Sequence, residues 1–174
     1  AVVGIIAVGE LLVILTAGID LSVGSVAALC GVVSCLTMKE LGMPVPVGIA
    51  AGAGAGLLCG SLNGVLASWG RIPPFIVTLG MMMMARGLTL ILSGAEPVFG
   101  LPASFAWLGG TRAWWVPVVI TLLIVLVFAV ILTHTRFGRA IYAVGGNLEA
   151  ARLSGLNVHA IRTAAFALSG MLAG

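Results

Sequence analysis

Few side chains in this sequence could do chemistry, and most of them sit where chemistry would not use them. Its two histidines, His134 and His159, fall in one basic stretch outside the long apolar runs. No run therefore carries an imidazole for a metal, a serine-histidine pair or a proton relay. Three cysteines, Cys30, Cys35 and Cys59, lie inside apolar runs with no Cys-x-x-Cys pair, and read as small hydrophobic residues. The one lysine, Lys39, is followed by Glu40 and belongs to no Gly-Lys-Ser/Thr phosphate loop. The glycine-rich run Gly52 to Gly56 follows no strand and lies within an apolar helix, which excludes a nucleotide loop there. The chain is expected to be no enzyme and to hold no metal or cofactor. Any ATP and Mg must be bound by another chain.

What remains is a short set of polar groups inside apolar sequence. Glu10 and Arg86 are ionisable, and each costs several kcal/mol in hydrocarbon unless paired or hydrated. Each is open to two readings: a contact with a transported solute or a watery path, or a structural pair or end-of-helix group reaching the interface. Asp20 and Ser22 stand at a break between two apolar runs, where either could accept hydrogen bonds from the free N–H groups of the next helix. Asn63, Ser61 and Thr78 can bond across helices, and a structural role is favoured for them. Glu10, Asn63 and Arg86 are candidate residues of a translocation path, and Asp20 and Ser22 join them through what the family resemblance of their block, described below, implies.

These groups need elements to position them, and composition says which. Of 174 residues, 61% are hydrophobic and 7% charged, against roughly 45–50% and about 25% in soluble domains. The charges gather between long apolar runs, as expected when each run crosses a hydrocarbon layer about 30 Å thick. Five membrane segments and the start of a sixth are expected: Ala1 to about Ala17, from after Asp20-Leu21-Ser22 to near Met38, Val45 to about Trp69, Phe75 to Leu92, Trp115 to Leu132, and from about Ile161 onward. Lys39-Glu40 with Pro44, and Arg71-Ile72-Pro73-Pro74, mark turns. Helices are required because a lipid-embedded backbone must satisfy its own hydrogen bonds, and the runs neither alternate nor are short enough for barrel strands. The fold class is all-α and polytopic, a single transmembrane domain over 1–174, read as a fragment incomplete at both ends. The N-terminus, apolar from Ala1 and without a basic leader, is no signal peptide.

Arginine asymmetry sets the orientation. The stretch 133–162 carries Arg136, Arg139, Arg152 and Arg162 against Glu149 alone, which places it in the cytoplasm. Counting back puts Arg71 inside, and Lys39-Glu40 and the 93–114 connection outside. Trp107, Trp114 and Trp115 fit an outer interfacial belt. The arginines form no dense patch with interleaved aromatics, so nucleic acid is not an expected partner. Gly48, Gly52, Gly56, Gly60 and Gly64 recur every four residues, a ridge along which backbones can approach closely. The third segment is therefore expected at the centre of the bundle, and the fifth, apolar on every side, at its periphery.

Three blocks carry a family resemblance. Gly18-Ile19-Asp20-Leu21-Ser22-Val23-Gly24-Ser25, the run Arg71 to Gly87, and Thr135 to Asn147 continued by Ala150-Ala151-Arg152-Leu153-Ser154-Gly155 resemble the permease subunits of ribose-type ABC sugar importers, in the family's order and spacing. The resemblance implies an ABC importer permease fold in the bacterial cytoplasmic (inner) membrane, translocating a monosaccharide, a ribose-like pentose or a hexose. It implies a homodimeric or paired permease, an ATP-binding cassette ATPase subunit inside, and a periplasmic or lipid-anchored sugar-binding protein outside.

The resemblance also assigns a role to the cytoplasmic stretch. Glu149-Ala150-Ala151 with Gly155 echoes importer coupling loops, although Ser169 follows Leu168 where other importer branches continue to a proline. The stretch can form a short surface helix with Gly145-Gly146 before it and Gly155 after it. Gly145, Gly146, Asn147, Glu149, Ala150, Ala151, Arg152, Ser154 and Gly155 are the candidate ATPase-coupling residues. Two rival classes are a secondary transporter, which would need an inverted repeat with broken helices, and a membrane protein that transports nothing.

Overall fold

The computed structural model describes residues 1–102, 104–105 and 113–174. Among these there are eight α-helices and no strand: α1 (Val2–Leu15), α2 (Val23–Lys39), α3 (Val45–Ser68), α4 (Pro74–Ser93), α5 (Trp115–His134), α6 (Arg136–Gly146), α7 (Leu148–Leu153) and α8 (Val158–Ala173). All six expected segments are helices. Three of them, α3, α4 and α5, are long and apolar enough to cross a membrane. The others, α1, α2 and α8, have 14, 17 and 16 residues.

The chain stops the first helix actively after Leu15. Ala17 takes a left-handed conformation (φ 56°). The Gly18 N–H donates to the Val13 carbonyl and the Ala17 N–H to Ile14, a pair of bonds that closes the helix and reverses the chain. The segment after Gly18 then runs back beside α1, and the Asp20 N–H reaches Glu10 Oε1 at 3.4 Å. The start of α2 is thus drawn into the bundle.

The glycine ridge is buried along its whole length. A Cβ at Gly56 would collide with the Gly170 carbonyl oxygen and one at Gly60 with that of Phe166, while at Gly64 it would lie 2.7 Å from Thr163 Cα. Gly48 and Gly52 face Met38 and Ser34 of α2 instead. Helix α3 therefore sits at the centre, backbone to backbone with α8 and flanked by α2 and α4, as the spacing predicts. On α5 only Phe128 and Leu132 are buried, so that helix lies at the edge.

Helix ends sort into two layers. In one, Thr121 Oγ1 donates to the Ala1 carbonyl and Gly48 packs on Met38. In the other, Gly145 packs on the Leu15 carbonyl, and His159 Nδ1 lies 2.6 Å from the Ser68 carbonyl with its ring against Trp69. The six long helices alternate in direction, and the four arginines of 133–162 fall on the second layer. Trp114 and Trp115 are exposed at the first; Trp107 lies outside the described residues. Cysteine introduced at His134 or Asn157 should react with impermeant reagents only from the cytoplasm, and at Leu41 only from outside. Ala103, the other outer position the sequence suggests, also lies outside the described residues. Reversed labelling would overturn the orientation.

Candidate functional site

The break between α1 and α2 gathers four of the five candidate path residues. Asp20 Oδ1 accepts from the Ser22 N–H at 2.8 Å and from the Ser22 hydroxyl at 2.6 Å. Asn63 Nδ2 donates to Ser22 Oγ at 3.0 Å from across the bundle. A serine has one proton to give, and Asp20 takes it. Its oxygen must then face a donor, which fixes the Asn63 amide with its nitrogen toward Ser22. Among the described residues, Asn63 Oδ1 and Glu10 Oε2 are left buried without partners. Thr78 Oγ1 donates to the Pro74 carbonyl at 2.9 Å, with the Ile19 carbonyl farther off at 3.4 Å. Ser61 is half-buried.

This arrangement braces the break. Ser22, Asn63 and Thr78 are fully buried and Asp20 nearly so, leaving little surface on which a solute could land. Asp20 accepts from the N–H of Ser22, the residue before α2, but no side chain caps α2 itself, so the capping role the sequence offered to Asp20 or Ser22 is not filled, and Ser22 instead links the turn to α3. Ser22→Ala leaves the Asn63 amide and an Asp20 lone pair unsatisfied, at a cost of about 1–3 kcal/mol. The purified full-length protein should melt several degrees lower in detergent, and Asp20→Asn, which keeps an accepting oxygen, should lose less. An unchanged melting temperature for Ser22→Ala would show that the network carries no stability.

Arg86 is not part of this cluster. It is exposed on α4 and borders a surface depression shared with Gly24, Ser25 and Ala28 of α2 and with Thr89 and Leu90.

The cytoplasmic stretch is built from three side-chain caps. Thr135 Oγ1 accepts from the Gly138 N–H at 3.1 Å, and Asn157 Oδ1 from the Ala160 N–H at 3.1 Å. Asn147 Oδ1 accepts from the Glu149 and Ala150 N–H groups at 3.0 and 2.9 Å. The glycine pair expected to precede the short helix lies inside α6 instead, and the break falls at Asn147. Gly145 is glycine for another reason: a Cβ there would strike the Leu15 carbonyl oxygen where α6 passes the end of α1. Gly155 ends the turn after α7 in the left-handed region (φ 84°), which a side chain rarely tolerates.

Burial divides the coupling candidates. Ala151 packs inward with Val144 and Val158. Asn147, Glu149, Ala150, Arg152, Ser154 and Gly155 face outward. Leu153, absent from the sequence-based set, is 87% exposed. With Leu148 it gives this polar surface an apolar patch beside Asn147, Glu149 and Arg152. Its signal in the sequence was a leucine on the charged side of a six-residue helix of which only Ala151 points inward.

A family model described as "Branched-chain amino acid transport system / permease component" matches residues 1–174. The ribose import permease protein RbsC of Escherichia coli K12 is 42% identical over 175 residues, covering 97% of this chain and 54% of that protein. The autoinducer 2 import system permease protein LsrC of Escherichia coli K12 / DH10B is 39% identical over 171 residues, covering 97% of this chain and 50% of that protein. The chain thus spans about half the length of the curated relatives it matches. No solved structure matches.

Proposed function

We propose, from the premise that the chain belongs to the branched-chain amino acid transport system / permease component family, that it is the membrane-spanning permease of an ATP-binding cassette importer for a monosaccharide. Similarity to a ribose import permease over nearly the whole chain supports the substrate class. The observation that carries the mechanism is the outward face of α7. Leu148 and the exposed Leu153, held by the Asn147 cap and the Gly155 turn, form an apolar patch on a basic loop that suits docking. Its partner is a separate ATPase subunit that binds ATP and Mg. Closure of that subunit pushes on α7, and α6 carries the push to the end of α1 through the contact of Gly145 with Leu15. A periplasmic or lipid-anchored binding protein delivers the sugar at the opposite layer, and two permease copies share the path in the inner membrane.

Co-purification tests this reading. Full-length protein extracted in mild detergent should bring down an ATPase with a P-loop and, in the presence of sugar, a secreted binding protein encoded beside it. Elution of the permease with neither partner would overturn it.

A further inference from the structure

A charged side chain at membrane depth needs an explanation, and Arg86 has none within the bundle. It lies roughly 18 Å along α4 from Pro74, at about 1.5 Å per residue, in a helix of 20 residues. It is exposed, and among the described residues it has no ion-pair partner. A guanidinium facing lipid tails there would cost several kcal/mol. The surface beside it is not built like a lipid face. Gly24, Ala28 and Gly31 of α2 recur at helical spacing on one side, and a Cβ built at Gly24 or Gly31 would meet no atom within 4 Å. Leucines and valines crowd the lipid-facing side of α5, whereas here glycine, alanine and hydroxyl side chains, with Leu90 at the edge, leave a depression.

The polar groups around it have a definite sense. Arg86 offers five N–H donors and no acceptor. Thr89 gives its proton to the Ala85 carbonyl at 2.8 Å, so its oxygen can only accept further bonds. Ser25 can donate or accept. This set suits a ligand with many oxygens and several hydroxyl protons but no cationic group.

We propose that Arg86, Ser25 and Thr89 form a wet contact station for a neutral polyhydroxylated solute crossing the membrane, with Arg86 donating to solute oxygens. The proposal rests on the importer reading and moves the solute path from the sealed Asp20, Ser22 and Asn63 break to the open face between α2 and α4.

The test uses the full-length permease with its ATPase and binding protein in proteoliposomes, with Cys30, Cys35 and Cys59 replaced by alanine. Ser25→Cys should react with both anionic sulfonatoethyl and cationic trimethylammonioethyl methanethiosulfonate, while Leu126→Cys on α5 should react with neither. The anion-to-cation rate ratio at Ser25→Cys should fall about fivefold when Arg86→Gln is added. Arg86→Lys should preserve it. Ala28→Cys gives a second reporter should Ser25→Cys assemble poorly. In uptake of radiolabelled D-ribose, Arg86→Gln should raise KM at least tenfold, with Arg86→Lys intermediate. Cysteines that do not react at either position, a rate ratio indifferent to Arg86, or an unchanged KM would each overturn the station. A permease that labels as expected but shows no ATP-driven uptake would instead overturn the importer reading.

Discussion

Gly56→Ala should destabilise the bundle, and Gly54→Ala, two residues away on the same helix, should not. Position 54 has open space, so alanine there should be neutral or gain roughly 0.5–1 kcal/mol from helix propensity. At position 56 the added methyl meets the Gly170 carbonyl oxygen, a backbone atom that moves only if α8 moves. Overpacking of this kind costs about 1–3 kcal/mol and more for larger side chains. Gly56→Leu should therefore prevent assembly altogether. Thermal unfolding of the full-length protein in detergent gives the ranking. Equal effects at 54 and 56 would mean that the ridge faces lipid and that α3 and α8 are not backbone neighbours.

The second large effect is expected at Leu153. Leu153→Asp puts a charge on the apolar patch of α7 without touching the bundle, because the side chain is already in solvent. The variant should insert at normal levels, while sugar uptake and permease-stimulated ATP hydrolysis both fall at least tenfold. Gly155→Trp is the less clean probe. Its left-handed backbone would be strained by any side chain, about 1–2 kcal/mol, before docking is affected. Normal uptake in Leu153→Asp would make α7 a passive connection, and loss of the protein from the membrane would make the patch structural.

What could be read beforehand follows from how local each signal is. The helices, the α3 ridge and the Gly155 turn are written in composition and spacing over a few residues. The partner of the ridge was not: α8 meets Gly56 and Gly60 with Gly170 and the Phe166 carbonyl, and two glycines four residues apart give no strong stripe. The break after Gly18 was legible as a turn, but the cap expected on α2 is absent, because Asp20 bonds Ser22 instead of the helix N–H groups. That it folds back so that Ser22 meets Asn63, 41 residues away, depends on the left-handed Ala17, which the sequence does not single out. Gly145 shows the same limit from the other side. A glycine near a helix end reads as punctuation, yet here it serves a close approach to the end of α1. Arg86 was grouped with the acids by its cost in lipid, and only the packing of α2 on α4 separates it from them.

The proposed sugar transport under the control of a separate ATPase acting through α7 can be measured directly. The most direct measurement is uptake of radiolabelled D-ribose, with a hexose panel, into proteoliposomes containing the full-length permease, its neighbouring ATPase and its binding protein. Accumulation should require ATP and all three proteins, and Leu153→Asp should lower it at least tenfold. Uptake driven by an ion gradient without ATP, or ATP-driven uptake indifferent to Leu153→Asp, would contradict it.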